Sequence, residues 1–377
     1  MNACKSSVRH QKYRVLLVIT HVTPGGTREV LELLAHELQL RGFEIRLVAI
    51  YRGSGVSSKP EGYDVLVDDV RLSAAGYAKA AARLIRMIRS SPPDIVLSFL
   101  PAANIIAGVA SRICGVPRRI ASHHSPGWVQ HSLLRTMDRA LGSLGFFSDI
   151  VCVSRSVEAS FASYPRQYLR RISVIANGIR PVAPKLARAR VRQHYGLPQD
   201  AVVFTMIGRL SEEKNVLNAV RAAARTPGAY LALAGDGPLR EAVQECIRES
   251  GASERIVLVG SLDHQNAIDL LAASDVFVQI SFYEGRSLAM LEAIAIGRPV
   301  IASDIPAQRE ALTLSNGNLA GLVCDPADID SISAAMGRLV SDAPLRQQLS
   351  ASVSLLKDGL DLGRMGDAYA SLLTQSA

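Results

Sequence analysis

The 377-residue chain is long enough for two domains of ordinary size. Its 48% hydrophobic and 20% charged residues are the make-up of a packed globular protein and exclude bulk disorder. The net charge of +8 is unevenly spread: residues 1–180 hold 24 Lys and Arg against 12 Asp and Glu, a balance of +12, whereas residues 181–377 hold 18 against 22, a balance of −4.

A basic N-terminal half suits either a plain solvated surface or contact with something anionic, such as a membrane face or a phosphorylated substrate. Nucleic acid fits poorly, because no zinc-finger spacing occurs and aromatics are only 5%. Cys4, Cys114, Cys152, Cys246 and Cys324 are scattered, odd in number and without a C-x-x-C pair. That points to a reducing compartment and away from a disulfide framework or a zinc site. Residues 1–12 are polar and basic, and the apolar run 15–19 is too short for a signal-peptide core or a membrane span. The expectation is a cytoplasmic protein whose membrane contact, if it makes one, is peripheral and at the inner face.

In chain order, residues 13–20 are apolar and β-branched and read as a strand. A turn with Pro24, Gly25 and Gly26 leads to an amphipathic helix over 27–41, with Val30, Leu33, Leu34, Leu38 and Leu40 on one side. Gly42 stops it, and 43–50 is the next strand. Strand, glycine turn, helix, strand is a βαβ unit, which implies a parallel sheet. The alternation recurs with strands at 94–99, 119–122, 149–154 and 172–175, and helices over 102–114 and from 154. It breaks between 177 and 200, where Pro181, Pro184 and Pro198 punctuate a basic stretch, so the domain boundary is placed at 180/181. A second α/β domain follows, with strands at 202–207, 229–234, 256–259, 276–280 and 299–302 and helices at 215–225, 238–250, 266–273 and 285–296. Residues 326–373 read as helices. Open parallel sheets bind ligands beyond the carboxyl ends of their strands, so two of them place the site in the groove between.

The loop after the strand at 202–207 is Gly208-Arg209-Leu210-Ser211-Glu212-Glu213-Lys214-Asn215. Its two cations beside the positive end of a helix suit a diphosphate. After the strand at 276–280, Glu284 lies in a loop and Glu292 about two turns along the predicted helix, whose opening N–H groups could take a phosphate. Carboxylates accept hydrogen bonds from sugar and ribose hydroxyls. The plainer reading of each segment alone is a solvated loop cation or a helix-start acid.

Together these segments resemble the retaining glycosyltransferase family 4 of the group 1 glycosyl transferases, which have the GT-B fold. The resemblance covers nearly the whole chain. Its most specific element is the E-x7-E pair Glu284 and Glu292 in Y-E-G-R-S-L-A-M-L-E-A-I-A-I-G-R-P-V-I-A-S-D. Beside it stand G-R-L-S-E-E-K-N at 208–215, A-G-D-G-P-L-R at 234–240, V-I-A-N-G-I at 174–179 and T-P-G-G-T-R-E-V at 23–30. The resemblance implies two Rossmann-like, doubly wound α/β domains facing a central cleft. Residues 1–180 would bind the acceptor and 181–355 the nucleotide sugar, with a last helix at about 356–377 packing back onto the first domain.

The same resemblance implies roles. Arg209 and Lys214 would hold the donor diphosphate, Glu284 the transferred sugar and Glu292 the ribose hydroxyls. Backbone N–H groups of Ser287 and Leu288 would meet the phosphates. Gly25 and Gly26 would let the first domain approach them closely, with Gly208, Asp236, Gly237 and Gly285 completing the donor contacts. A histidine near the reacting sugar falls on His123-His124. His124 takes the third place of the family's frequent T-E-H-like triplet, and His123 is the alternative. Arg286 stands where the family often has Phe, within reach of a charge on the donor. No cofactor or metal is implied: the nucleoside-diphosphate sugar is a substrate, and the acceptor would be a glycan or a lipid-linked saccharide. The literal D-x-D at Asp328-Ile329-Asp330 opens a helical pattern and reads as helix-start carboxylates. Rival readings are a sugar-nucleotide epimerase of the same fold and a non-catalytic nucleotide-sugar-binding protein. A dehydrogenase would want G-x-G-x-x-G after a strand, where this chain offers Gly25-Gly26.

Overall fold

The computed structural model describes residues 13–54, 56 and 60–375. Cys4, the basic segment 1–12 and the last two positions of the helix expected at 356–377 lie outside the described residues. The first half runs β1 (Arg14–His21), α1 (Gly26–Leu40), β2 (Glu44–Tyr51), β3 (Tyr63–Val67), α2 (Ala74–Ser90), β4 (Ile95–Phe99), α3 (Pro101–Ile113), β5 (Arg118–His123), α4 (Ser132–Ser143), β6 (Asp149–Cys152), α5 (Arg155–Ala159), α6 (Arg166–Leu169) and β7 (Ile172–Val174). The second half runs α7 (Arg188–His194), β8 (Val202–Ile207), α8 (Val216–Arg225), β9 (Ala229–Ala234), α9 (Arg240–Glu249), β10 (Ile256–Gly260), α10 (His264–Ala273), β11 (Val276–Gln279), α11 (Leu288–Ile296), β12 (Val300–Ser303), α12 (Pro306–Leu312) and β13 (Leu322–Cys324). Helices α13 (Ile329–Ser341), α14 (Ala343–Ser354) and α15 (Leu362–Thr374) end the chain.

Among the described residues the strands form two sheets, ordered β3-β2-β1-β4-β5-β6-β7 and β10-β9-β8-β11-β12-β13. Neighbouring strands in both are parallel. The strand order reverses between β1 and β4 in one sheet and between β8 and β11 in the other. At such a reversal the flanking crossovers leave in opposite directions and open a crevice. The loops after β1, β4, β8 and β11 therefore line the places where a ligand can enter.

Strands and helices follow their apolar patterns. Val15 to Ile19 of β1 are buried on both faces, as a central parallel strand requires. Helix α1 buries Val30, Leu31, Leu34 and Leu38, but Leu40, expected on that side, is 68% exposed because it falls at the fraying last position. Strands β3 and β13 and helices α2, α4, α6, α7 and α12 go beyond the elements expected from the sequence; the three residues of β13 are too few for a pattern to register. Helix α11 begins at Leu288, not 285, because Ser287 caps it by accepting from the Met290 N–H (3.4 Å). Glu292 therefore lies about one turn into the helix, nearer its positive end than expected.

The chain crosses between the two halves twice, side by side. Ile179 N donates to Leu360 O (2.9 Å) where the first crossing passes the second. Beyond it α15 packs on α1 of the first half, with Tyr369 and Leu373 buried. Arg41 there donates to Gly363 O (2.8 Å) and pairs with Asp367 (2.7 Å).

Arg192 of α7 roots the start of the second half. Its fully buried guanidinium donates to the carbonyls of Ala273, Pro198, Gln199 and Ala201 and to Asp275 Oδ2 (2.7 Å). Removing the cation strands four carbonyls in an apolar setting. Arg192→Met should cost about 3–5 kcal/mol in urea unfolding. A loss below about 1 kcal/mol, the size of an ordinary surface change, would show that packing alone secures α7.

Candidate active site

The loop after β8 carries Gly208, Arg209 and, on a short 3-10 turn, Lys214. Asn215 closes that turn in a left-handed conformation (φ +57°), and its side-chain amide donates to Ile280 O (3.1 Å) at the end of β11. Phe282 N donates to Glu213 O (2.9 Å), so the two loops at the switch point are bound together. Across this junction Lys214 Nζ meets Glu284 Oε1 at 2.6 Å. The same Oε1 accepts from Gln279 Nε2 and Ser281 Oγ, both at 2.7 Å. Oε2 of Glu284 has no partner among the described residues, which leaves one acceptor aimed by three donors on its twin.

Two glycines let the loop after β9 lie backbone to backbone on this one. A Cβ on Gly235 (φ +142°) would sit 1.8 Å from Gly208 O, and one on Gly237 would sit 2.4 Å from Leu210 O. Asp236 spends its carboxylate locally, accepting from Gly237 N (2.7 Å) and lying 3.5 Å from Arg240. Ser287 and Leu288 stand at the opening of α11, where the first N–H groups have no helical carbonyl to bond.

The first half faces these groups. The Arg209 guanidinium reaches across to Gly25, whose missing Cβ would lie 3.4 Å from Nη2. Gly26, the first residue of α1, has open space around it. A Cβ on Gly285 would be 2.0 Å from His124 O, and Gly285 O accepts from Ser154 Oγ (3.0 Å). Gly285 thus serves contact between the halves. Arg286 turns to the chain exit of the first half, donating from Nε to Asn177 O (3.1 Å) while Asn177 donates back to Arg286 O (3.4 Å). Glu310 of α12 caps α5, its two oxygens taking the N–H groups of Arg155 (2.9 Å) and Ser156 (2.8 Å). Trp128 meets Tyr283 edge to face at 5.6 Å between centroids.

The adjacent histidines part company. His123 is buried in a directed chain: Tyr168 gives its one hydroxyl proton to Asp138 (2.7 Å) and so accepts from His123 Nε2 (3.0 Å). His123 Nδ1 is then the acceptor for Gln130 Nε2 (3.4 Å). His124 turns the other way, with Nε2 3.0 Å from Ser122 Oγ and its ring beside Phe99. Burial pushes its pKa down to about 3, so it is a neutral imidazole. With Leu100, Ser122 and Gln130 it lines a cavity of about 200 Å3 beyond β4 and β5. Leu100 holds φ +75° there, a costly conformation for a branched residue and one that concentrates at functional sites.

Glu292 does not stand free. His264, first residue of α10, donates to its Oε1 (2.9 Å) and lies 4.0 Å from Glu29 of α1 across the cleft. The bond to Glu292 raises the His264 pKa, and burial together with Glu292 raises that of Glu29. These three groups converge closely enough to share one cation. Asp328, by contrast, caps α13 by accepting from Asp330 N (2.9 Å). No motif or spacing in the sequence marks His264, Glu29, Glu310 or Leu100. Glu29 lies within T-P-G-G-T-R-E-V at 23–30, yet nothing in its spacing says that it faces α10.

Residues 24–182 match the family described as Glycosyltransferase Family 4, and residues 187–353 match Glycosyl transferases group 1. The lipopolysaccharide core biosynthesis glycosyltransferase LpsD of Rhizobium meliloti (strain 1021) is 27% identical over 352 residues, 93% of this chain and 95% of its own. The GDP-mannose-dependent alpha-(1-6)-phosphatidylinositol monomannoside mannosyltransferase of Mycolicibacterium smegmatis is 29% identical, covering 87% and 89%. Anabaena HepE, solved with UDP and glucose, shares the fold with a TM-score of 0.81 at 17% identity, over 96% of this chain and 99% of that one. With one family matched on each half and the two switch points facing each other, this chain belongs to the group 1 glycosyltransferases of family 4, with the GT-B fold.

Proposed function

We propose that this glycosyltransferase moves a sugar from a nucleoside diphosphate to a hydroxyl of a glycan or lipid-linked acceptor, with retention at the anomeric carbon and without a metal, in making a cell-surface glycoconjugate. The observation that carries this is the pairing of Lys214 with Glu284 just ahead of the opening of α11, with Arg209 of the Lys214 loop reaching Gly25 of the first half. Two cations and a helix N-terminus are a receptor for a departing diphosphate. UDP in the HepE structure and the GDP-mannose of the mycobacterial enzyme's name support such a donor.

Glu284 acts as an orienting acid. Three donors hold Oε1 in place, and Oε2 is left to accept from a hydroxyl of the transferred sugar. Transfer then proceeds on one face. The anomeric C–O bond to the β-phosphate breaks, the acceptor oxygen bonds to the same face, and its proton passes to the leaving phosphate oxygen. Glu292 takes the ribose hydroxyls, with His264 fixing its carboxylate. Neutral His124, beside the cavity beyond β4 and β5, meets the sugar or the acceptor.

A membrane-borne acceptor suits the first half. Helix α4 buries Asp138 and Gly142 and leaves Leu133 and Met137 exposed, as is Leu144 just beyond its end, two of the three by more than 60%. Exposed Trp128 precedes it, and Arg135 and Arg139 project from the same helix. Apolar residues flanked by arginines fit an anionic lipid surface. No described helix is long and apolar enough to cross a membrane.

Lys214→Ala should lower kcat/KM by roughly 100- to 1,000-fold, the usual loss for a group that stabilises a leaving anion, in a transfer assay whose product anomer is read by NMR. Near-normal turnover, or an inverted product, would overturn the mechanism. His264 has a raised pKa in the folded protein, so its tie to Glu292 is complete below the ordinary imidazole value of about 6.5 and fades as pH climbs through the folded one. The melting-temperature gap between wild type and His264→Gln should therefore be widest in mild acid and close in alkali; a gap that widens with pH would refute the pairing. Replacing Leu133, Met137 and Leu144 by serine should reduce sedimentation with phosphatidylglycerol vesicles at low salt. Undiminished binding would place the membrane face elsewhere.

A further inference from the structure

A second cavity, of about 390 Å3, lies away from the cleft, where the linker between the halves passes the far ends of α10 and α11. Its walls are apolar, chiefly Val182, Pro184, Leu186 and Ile296, and its charged lining is Arg188 and Arg298. The lining contains no acid among the described residues.

Three arginines crowd one carboxylate at this end of the molecule. Asp275 Oδ1 is taken by Arg188 (2.6 Å) and Oδ2 by Arg192 (2.7 Å) and by the Val203 N–H (2.8 Å). Arg298 is left with a neutral partner, Ser274 O (2.9 Å), which Arg188 also contacts (3.4 Å). Its Nε is buried with no hydrogen-bond partner among the described residues. The next acid, Asp269, is engaged with the linker amides of Lys185 (2.6 Å) and Leu186 (3.3 Å). Burial, and then the neighbouring Arg188, hold the Arg298 pKa below its ordinary value. A guanidinium that is half desolvated, unmatched by an anion and open to a cavity is costly unless something supplies the missing charge.

We propose that this cavity binds a small organic anion: a phosphate or carboxylate head between Arg188 and Arg298, on a short apolar body lying against Val182, Pro184, Leu186 and Ile296. A guanidinium fork matches either head with paired hydrogen bonds, and the volume falls within the range of small-molecule pockets. The site has a position from which to regulate. Its floor is the end of α11, the helix that opens on Leu288 and carries Glu292, and its roof is the linker that any relative movement of the halves must bend. An occupant therefore clamps linker to helix without touching the cleft.

The test is thermal-shift titration of the full chain carrying Arg209→Ala and Lys214→Ala, which removes the cations of the cleft and makes the outcome independent of the donor assignment. Butyl phosphate or pentanoate should raise the melting temperature saturably at millimolar concentration. Inorganic phosphate, lacking the apolar body, should bind more weakly. Adding Arg298→Met should weaken binding roughly tenfold or more, the loss expected for a charge-assisted hydrogen bond. Ala272→Leu, which fills the cavity from α10 and leaves the arginines in place, should abolish the shift even if Arg298→Met fails to fold. No saturable shift with either probe, equal binding of inorganic phosphate, or a shift that survives Ala272→Leu would overturn the proposal.

Discussion

Oε1 of Glu284 accepts from Lys214, Gln279 and Ser281 within 2.7 Å, and the rest of the cleft is arranged around that convergence. A carboxylate only 11% exposed is costly to desolvate unless its hydrogen-bonding capacity is met. Here the donors come from the end of β11, from the loop after it and from the loop after β8. The ion pair therefore stitches together the two loops that border the reversal of strand order. It does so with one oxygen, which keeps the other directed at a ligand. Phe282 and Asn215 hold the same two loops through backbone carbonyls, so the acid's position does not rest on its ion pair alone.

Glycine is the second constraint, and its use is steric. Gly235, Gly237 and Gly285 each occupy a place where a methyl group would meet a backbone oxygen at 2.4 Å or less. Gly235 and Gly237 let one cleft loop lie on another. Gly285 brings the glutamate loop under His124 of the opposite half. The halves are further tied by polar groups, with Glu310 capping α5 and Asn177 exchanging hydrogen bonds with Arg286. Contacts of this polar kind are exchanged with water more readily than apolar ones, which suits an interface that opens to admit substrate.

Buried charge is handled in contrasting ways. Arg192 is enclosed and fully supplied with acceptors. Asp138 is enclosed on the inward side of α4, with the Tyr168 hydroxyl and His123 beside it. That inward acid shares the inner face of α4 with half-buried Leu134 and Leu141 and leaves Leu133 and Met137 outward, the helix being oriented in part by a polar chain ending on β5. Neither Asp138 nor Arg298 has its set completed by protein groups: Asp138 Oδ1 and Arg298 Nε are both buried without a hydrogen-bond partner among the described residues, and of the two only Arg298 lines the cavity beside the linker.

Much of this was written locally. The βαβ alternation, the break after Asn177 and the strands at Val202–Ile207 and Ala229–Ala234 were legible because apolar β-branched runs between glycine turns have few other uses. The loops carrying Arg209, Lys214 and Glu284 could be read for the same reason, since parallel sheets place their ligands after the strands. Tertiary structure alone decided what faces what. No spacing within residues 23–30 tells Glu29 to approach His264, and nothing in His123-His124 says which ring turns inward. The start of α11 shifted because a serine cap outweighed helix propensity, and α4 was hidden because its apolar residues are divided between an exposed face and an inner face interrupted by Asp138. Periodicity reports which residues lie on one face of an element, but the partner of that face is set by packing between segments far apart in the chain.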